Sequence, residues 1–276
     1  AAADRYGRAS FGTGIRVNVE FVSANPTGPL HVGHGRGAAL GDGIAALLDW
    51  TGHQVVREFY INDAGVQIDR LVDSLWARIQ QIRGSAAAAI PEGGYHGEYL
   101  VDAAERAVGE LEPALLSGPL EAAAPRLRSF ILALQRAEQD ELLGDFGVRF
   151  DVHSSEQAIY DQGRVEATLA ELAAKQLTYE KDGALWLKTE AHGDDKDRVL
   201  KKSDGSLTYL VPDIAYHRDK HERGFQKVID VWGADHHGYI PRMRAVLRAL
   251  GYPEDFFEVA LVQLVKVVKD GEEVRM

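Results

Sequence analysis

Val17-Asn18-Val19-Glu20-Phe21-Val22 runs into Ser23-Ala24-Asn25-Pro26-Thr27-Gly28-Pro29, and then into Leu30-His31-Val32-Gly33-His34. The first run is rich in β-branched residues and the second is dense in turn formers. The third opens a stretch where Ala38, Leu40, Ile44, Leu47 and Leu48 recur near helical spacing. A strand therefore hands over to a helix through a stiff loop, with His31 and His34 expected on the first helical turn, sharing one face. Unpaired N–H groups and about half a positive charge gather at a helix start, so this is a phosphate site in outline. Gly33 removes the Cβ that would hold a nucleotide away. Two histidines at this spacing also suit a metal, but no acidic partner nearby completes a zinc motif, and no metal site is assigned.

Working outward, residues 54–61 read as a second strand, so residues 17–64 form a βαβ unit and imply a parallel sheet. In such sheets ligands bind at the carboxyl ends of the strands, where His31 and His34 fall. Residues 65–83 are an amphipathic helix carrying Ile68, Leu71, Val72, Leu75, Trp76 and Ile79, and an Ala/Gly linker follows at 84–94. Helical patterns over 97–111 and 120–143 give a helical insertion at about 84–145, whose simplest role is packing. A short strand is expected at 147–152 and a helix at 164–175. Asp182-Gly183 and Asp204-Gly205, each flanked by strand formers, signal hairpins and a small antiparallel insertion at about 178–208. The pattern closes with a helix at 212–223, a strand at 227–232, a turn at 233–238, a helix at 240–250 stopped by Gly251, a central strand at 259–268, and a turn at Asp270-Gly271. The expected architecture is α/β, a doubly wound parallel sheet over 17–276 with helical and antiparallel insertions, preceded by a linker at 1–16.

The chain has 276 residues, 45% of them hydrophobic, which suffices for a substantial core and argues against disorder. It has no cysteine, which removes disulfides and thiolate chemistry, and no apolar run near the ~20 residues of a membrane span. A cytoplasmic setting without membrane contact is expected. Lys plus Arg is 31 against 42 for Asp plus Glu, a net charge of −11. Any nucleic-acid contact must then be local, while carboxylates suited to a cationic small ligand abound.

The run Glu20 to His34 closely resembles the first signature of class I aminoacyl-tRNA synthetases in the form used by arginyl-tRNA synthetases. Tyr60-Ile61-Asn62-Asp63-Ala64-Gly65, Tyr209-Leu210-Val211-Pro212-Asp213 and Val231-Trp232-Gly233-Ala234-Asp235-His236-His237 support it at family spacing. Glu273-Val274-Arg275-Met276 looks like the approach to the second signature loop, with Arg275 in its first place. The resemblance covers the chain from about Val17 onward. It implies a Rossmann-like catalytic-domain portion, without the amino-terminal tRNA-contacting and carboxyl-terminal anticodon-binding domains of the family.

The implied reaction is attack by the arginine carboxylate on the α-phosphorus of ATP, with Mg2+ accompanying the nucleotide, followed by arginyl transfer to tRNA(Arg). By resemblance His31 and His34 are the catalytic pair, and Gly33, Gly233, Asp235 and His236 join them around ATP. The resemblance likewise implies that Glu20, Asn25, Tyr209 and Asp213 hold the substrate arginine, whose planar guanidinium demands carboxylate partners. Read alone, Glu20 is a strand-edge charge, Asp213 a helix cap and Gly233 part of an ordinary turn. The roles of Asn62, Asp63 and His237 stay open, and Lys201, Lys202 and Lys266 read as solvated charges before they read as contacts to tRNA or phosphate. Two other readings share these residues: a nucleotidyltransferase using the same histidine pair, and a fragment that binds ATP or arginine without turnover.

Overall fold

The computed structural model describes residues 5–85 and 88–274, so Arg275 and Met276 of the expected second signature lie outside the described residues. In chain order the elements are β1 (Arg16–Glu20), α1 (Val32–Trp50), β2 (Gln54–Ile61), α2 (Val66–Ile82), α3 (Tyr99–Glu110), α4 (Pro113–Ser117) and α5 (Leu120–Asp145). There follow β3 (Val152–Ser155), α6 (Glu156–Asp161), α7 (Arg164–Ala174), β4 (Thr178–Lys181), β5 (Ala184–Leu187), β6 (Arg198–Lys201) and α8 (Leu210–Glu222). The chain continues with β7 (Lys227–Gly233), α9 (Ile240–Leu250), β8 (Phe257–Val262), β9 (Val267–Lys269) and β10 (Glu272–Val274). Two compact units emerge: Ala1–Ser23 with Val32–Tyr60 and Phe150–Met276, and Ala24–His31 with Ile61–Arg149.

The first unit is built on a five-stranded sheet of order β3-β2-β1-β7-β8, in which β1 pairs in parallel with both β2 and β7, and β7 in parallel with β8. The direction of strand succession reverses at β1, which makes the carboxyl ends of β1 and β7 the natural ligand crevice. β1 is buried on both faces: Val17 and Val19 are fully covered on one, Asn18 and Glu20 nearly so on the other. Against its exit packs α1, where Gly41 has a specific reason to be glycine. A Cβ there would lie 2.1 Å from Cγ of Phe21. A three-stranded antiparallel sheet β4-β5-β6 supplies the smaller insertion, with Asp182-Gly183 at its first turn. The second unit is helical, its core formed by Leu71, Leu75 and Ile79 of α2, Leu100 and Ala104 of α3, and Leu127 and Ile131 of α5.

Several expectations need correction. The apolar run at 259–268 is not a central strand: β8 stops at Val262 and lies at the edge of the sheet, and the chain then forms the hairpin β9–β10. Apolar run length cannot separate an edge from a centre, because that choice is made by topology. Asp270 and Gly271, both at positive φ (52° and 87°), make the hairpin turn. The strand expected at 147–152 is β3, shifted to Val152–Ser155. The turn at 233–238 is wound as a 3-10 helix over Ala234–Tyr239. Asp204-Gly205 leads to an isolated bridge between Lys201 and Leu207 instead of a further strand. His31 precedes α1, while His34 lies in its first turn.

Gly41 and Gly43 separate sterics from helix propensity, since a Cβ at Gly43 meets nothing within 4 Å. Gly41→Ala should lower unfolding stability by about 1–3 kcal/mol through displacement of Phe21. Gly43→Ala should raise it by about 0.5–1 kcal/mol. Urea unfolding of the two variants side by side checks both signs.

Candidate active site

Each of three neighbouring strands carries one acid at the same level. In the sheet register Glu20 of β1 stands beside Glu58 of β2 on one side and Asp230 of β7 on the other. Parallel register partners point to the same face, so three carboxylates form a row that repels itself unless cations cover it. The cations come from α8. Lys220, fully buried, donates from Nζ to Glu20 Oε2 at 2.5 Å and to Asp230 Oδ1 at 2.9 Å. One turn on, Arg223 grips Glu58 with two parallel bonds of 2.9 Å each. Tyr216 adds a hydroxyl to Glu58 Oε1 at 2.8 Å, and His217 Nε2 lies 3.1 Å from Asp230 Oδ2.

The electrostatics follow from this arrangement. Burial alone would push the Lys220 ammonium down, but Asp230, Glu20 and Glu58 outweigh it and hold its pKa above the ordinary range. Burial raises Asp230 and Glu58 in turn, yet Lys220, with His217 at the first and Arg223 at the second, leaves both below the usual carboxylate range. Glu20 differs: burial dominates, and its pKa is raised despite Lys220.

A cavity of about 260 Å³ opens at the ends of β1 and β7. Glu20, Asp213 and Asp230 line it together with the rings of Tyr60, Tyr216, Trp232 and Tyr239. Asp213 sits in the first turn of α8, seven residues before Lys220, and its Oδ2 accepts from Tyr239 Oη at 2.6 Å. Among the described residues no cation lies within ion-pair distance of Asp213. Burial is the main cause of its raised pKa. Counting Glu58, Glu20, Asp230 and Asp213 against Lys220 and Arg223, four carboxylates face two permanent cations. The cavity is therefore short of positive charge at Asp213.

The rim is strained. Val22 and Ser23 leave β1 at φ 66° and 41°, and Ser23 N donates to Phe21 O at 2.9 Å, closing a three-residue turn. A β-branched residue at positive φ at the centre of such a turn is disfavoured and persists only where its surroundings fix it. Here Ser23 Oγ donates to Glu20 Oε1 at 2.9 Å and accepts from Tyr60 N at 3.1 Å. The turn thus aims both the strand exit and the carboxylate.

Of the residues singled out by sequence, Glu20, Asp213, Gly233 and His236 line this cavity, and Asp235, Tyr209, Gly33 and His34 are not among its walls. Tyr209 is 83% exposed at the start of α8. The Asp235 carboxylate folds back over Gly233, where a Cβ would come within 2.3 Å of Oδ1. Gly33 and His34 occupy the start of α1, whose first turn carries no acidic residue that would oppose an anion. Asn25 and His31 belong to the second unit, where Asn25 Nδ2 donates to Gln67 Oε1 at 3.1 Å. Sequence reasoning missed Glu58, Asp230, Lys220, His217 and Arg223. A single acid in each of three strands rich in β-branched and aromatic residues was the available signal.

A parallel sheet with a cleft at its switch point and helices packed on it defines a doubly wound α/β domain. The family model described as tRNA synthetases class I (R), catalytic domain, matches residues 4–275, and the chain belongs to that family. It is 51% identical over 273 residues to an arginine–tRNA ligase of Desulforudis audaxviator, covering 99% of this chain and 48% of that protein. It is 48% identical over 275 residues to the arginine–tRNA ligase of Bacillus licheniformis, covering 49% of it. The chain thus spans about half the length of these curated relatives. A solved Campylobacter jejuni chain assigned as an arginyl-tRNA synthetase superimposes with a TM-score of 0.89 at 37% identity, covering 100% of this chain and 60% of that one. A Thermus thermophilus arginyl-tRNA synthetase shares the fold at a TM-score of 0.61 and 23% identity.

Removing the buried ammonium tests the charge row. Lys220→Met should cost about 3–5 kcal/mol of stability at neutral pH, because two buried carboxylates lose their cation. Without it the pKa values of Glu20 and Asp230 rise, so protonation relieves the repulsion and the deficit shrinks as pH falls toward about 5. Urea unfolding of both proteins across this pH range measures the effect.

Proposed function

We propose that this chain carries the arginine-activating site of an arginine–tRNA ligase. The observation that carries the reading is Asp213, a carboxylate with no cation at ion-pair distance among the described residues, in a cavity walled by tyrosine and tryptophan rings. A guanidinium supplies the missing charge and presents planar donors that match a carboxylate. Glu20, already held by Lys220 and Ser23, acts as an oriented acceptor instead of a second unpaired charge. Asn25 and Tyr209, both exposed, are the further side chains assigned to arginine binding.

ATP is assigned to the start of α1 and the end of β7, with Mg2+ travelling on the nucleotide. His31 and His34 donate hydrogen bonds to phosphate oxygens as negative charge builds during attack of the arginine carboxylate on the α-phosphorus and departure of pyrophosphate. Gly33 allows close approach, while Gly233, Asp235 and His236 serve the adenosine. Such chemistry is mostly positioning and charge stabilisation. In the longer protein the arginyl group then passes to tRNA(Arg), and a cytoplasmic setting fits this role. Among the described residues no helix is long and apolar enough to cross a membrane.

Asp213→Asn should raise the arginine dissociation constant about 30-fold, equivalent to about 2 kcal/mol, and leave ATP affinity nearly unchanged. Because burial raises the Asp213 pKa and the ligand needs the ionised form, wild-type affinity should weaken as pH is lowered from 7 toward about 4. The asparagine variant should lose most of that dependence. Calorimetric titration with arginine at several pH values checks both; an unchanged dissociation constant in the variant contradicts the assignment.

A further inference from the structure

The loop Ala24–His31 contains no helix or strand, and it bears Asn25 and His31. Its backbone carbonyls must find partners elsewhere. Three of them, those of Asn25, Thr27 and Gly28, find partners on helices of the second unit. Gln139 of α5 reaches two, with Nε2 at 3.4 Å from Asn25 O and 3.3 Å from Gly28 O. Tyr99 at the start of α3 donates its hydroxyl to Thr27 O at 2.5 Å. Gln67 of α2 accepts from the Asn25 side chain.

These contacts go beyond what packing requires. Gln139 is 5% exposed and lies in the buried stripe of α5 that includes Leu127, Ile131, Leu134 and Leu143. An amide there is unfavourable unless bonded, so a leucine would serve the core better. Tyr99 needs space made for it: a Cβ on Gly97 would stand 2.4 Å from Tyr99 Cε1. Burial pushes the Tyr99 phenol up to about 12, which keeps it a neutral donor at neutral pH. Three of the four bonds address the loop backbone, so they set the path of the chain and thereby the aim of the side chains it carries.

We infer that the helical unit fixes the loop Ala24–His31 for adenylate formation, with Gln139 and Tyr99 as positioning residues that act through its backbone. This rests on the reading above, in which Asn25 meets arginine and His31 meets phosphate. Small displacements of such groups reduce turnover more than binding, and the main charge for arginine, Asp213, lies in the first unit.

The test uses the full-length protein with Gln139→Met, Tyr99→Phe and the double variant, assayed by arginine-dependent pyrophosphate exchange in the presence of tRNA. Turnover should fall about tenfold in each single variant and about 100-fold in the double variant, with KM for arginine within about threefold. Gln139→His, which keeps an N–H donor, should recover most of the rate. Amide hydrogen exchange over residues 24–31 should quicken in the Met and Phe variants while α3 and α5 keep their protection. Unchanged exchange in the loop, or unchanged turnover with a quickened loop, overturns the inference. A wild-type protein that shows no arginine-dependent exchange activity instead overturns the functional reading, and the hydrogen-exchange result still decides whether the clamp exists.

Discussion

A buried ammonium sits where the sheet needs it most. Lys220 bridges Glu20 at the end of β1 and Asp230 on β7, the two strands between which the order of the sheet reverses. Without that charge, three adjacent carboxylates would share one dry row, and the crevice that parallel α/β sheets use for ligands would be the least stable place in the fold. The constraint also explains α8. It carries Asp213, Tyr216, His217 and Lys220, with Arg223 capping its end, a helix face chosen to complement charge more than to bury hydrocarbon. Among the described residues its first turn is then left with a carboxylate that has no cation at ion-pair distance, and the ligand-binding role proposed for the cavity rests on this surplus.

The same crevice stores backbone strain. Val22 and Ser23 at positive φ would relax toward an extended strand were they not held by the bonds that join Ser23 to Glu20 and to Tyr60. The turn redirects the chain out of the sheet and into the Ala24–His31 loop. One short segment therefore ends the strand, orients Glu20 and sets the departure of the loop that bears Asn25 and His31.

Much of the fold was legible in the sequence, because β-branched runs, turn formers and helical spacing are local signals. The boundaries of β2 are read directly from 54–61, and the stop of α9 at Gly251, in the left-handed region at φ 92°, follows from glycine chemistry. Edge or centre is not a local property, and so β8 was misplaced. The site divides the same way. Glu20, Asp213, Gly233 and His236 stood out because they fall within recognisable motifs, and they do meet at one cavity. Lys220, Glu58 and Asp230 belong to a row created by register between strands distant in sequence. Lys220 in a stretch reading His-Arg-Asp-Lys-His looks like a solvated charge until the helix is laid over the acids it neutralises.

A crystal structure of the protein with arginine bound tests the central claim most directly. The account predicts the guanidinium within hydrogen-bonding distance of the Asp213 carboxylate, with Lys220 still bridging Glu20 and Asp230. A guanidinium seated away from Asp213, or paired with Glu20 after displacing Lys220, would contradict it.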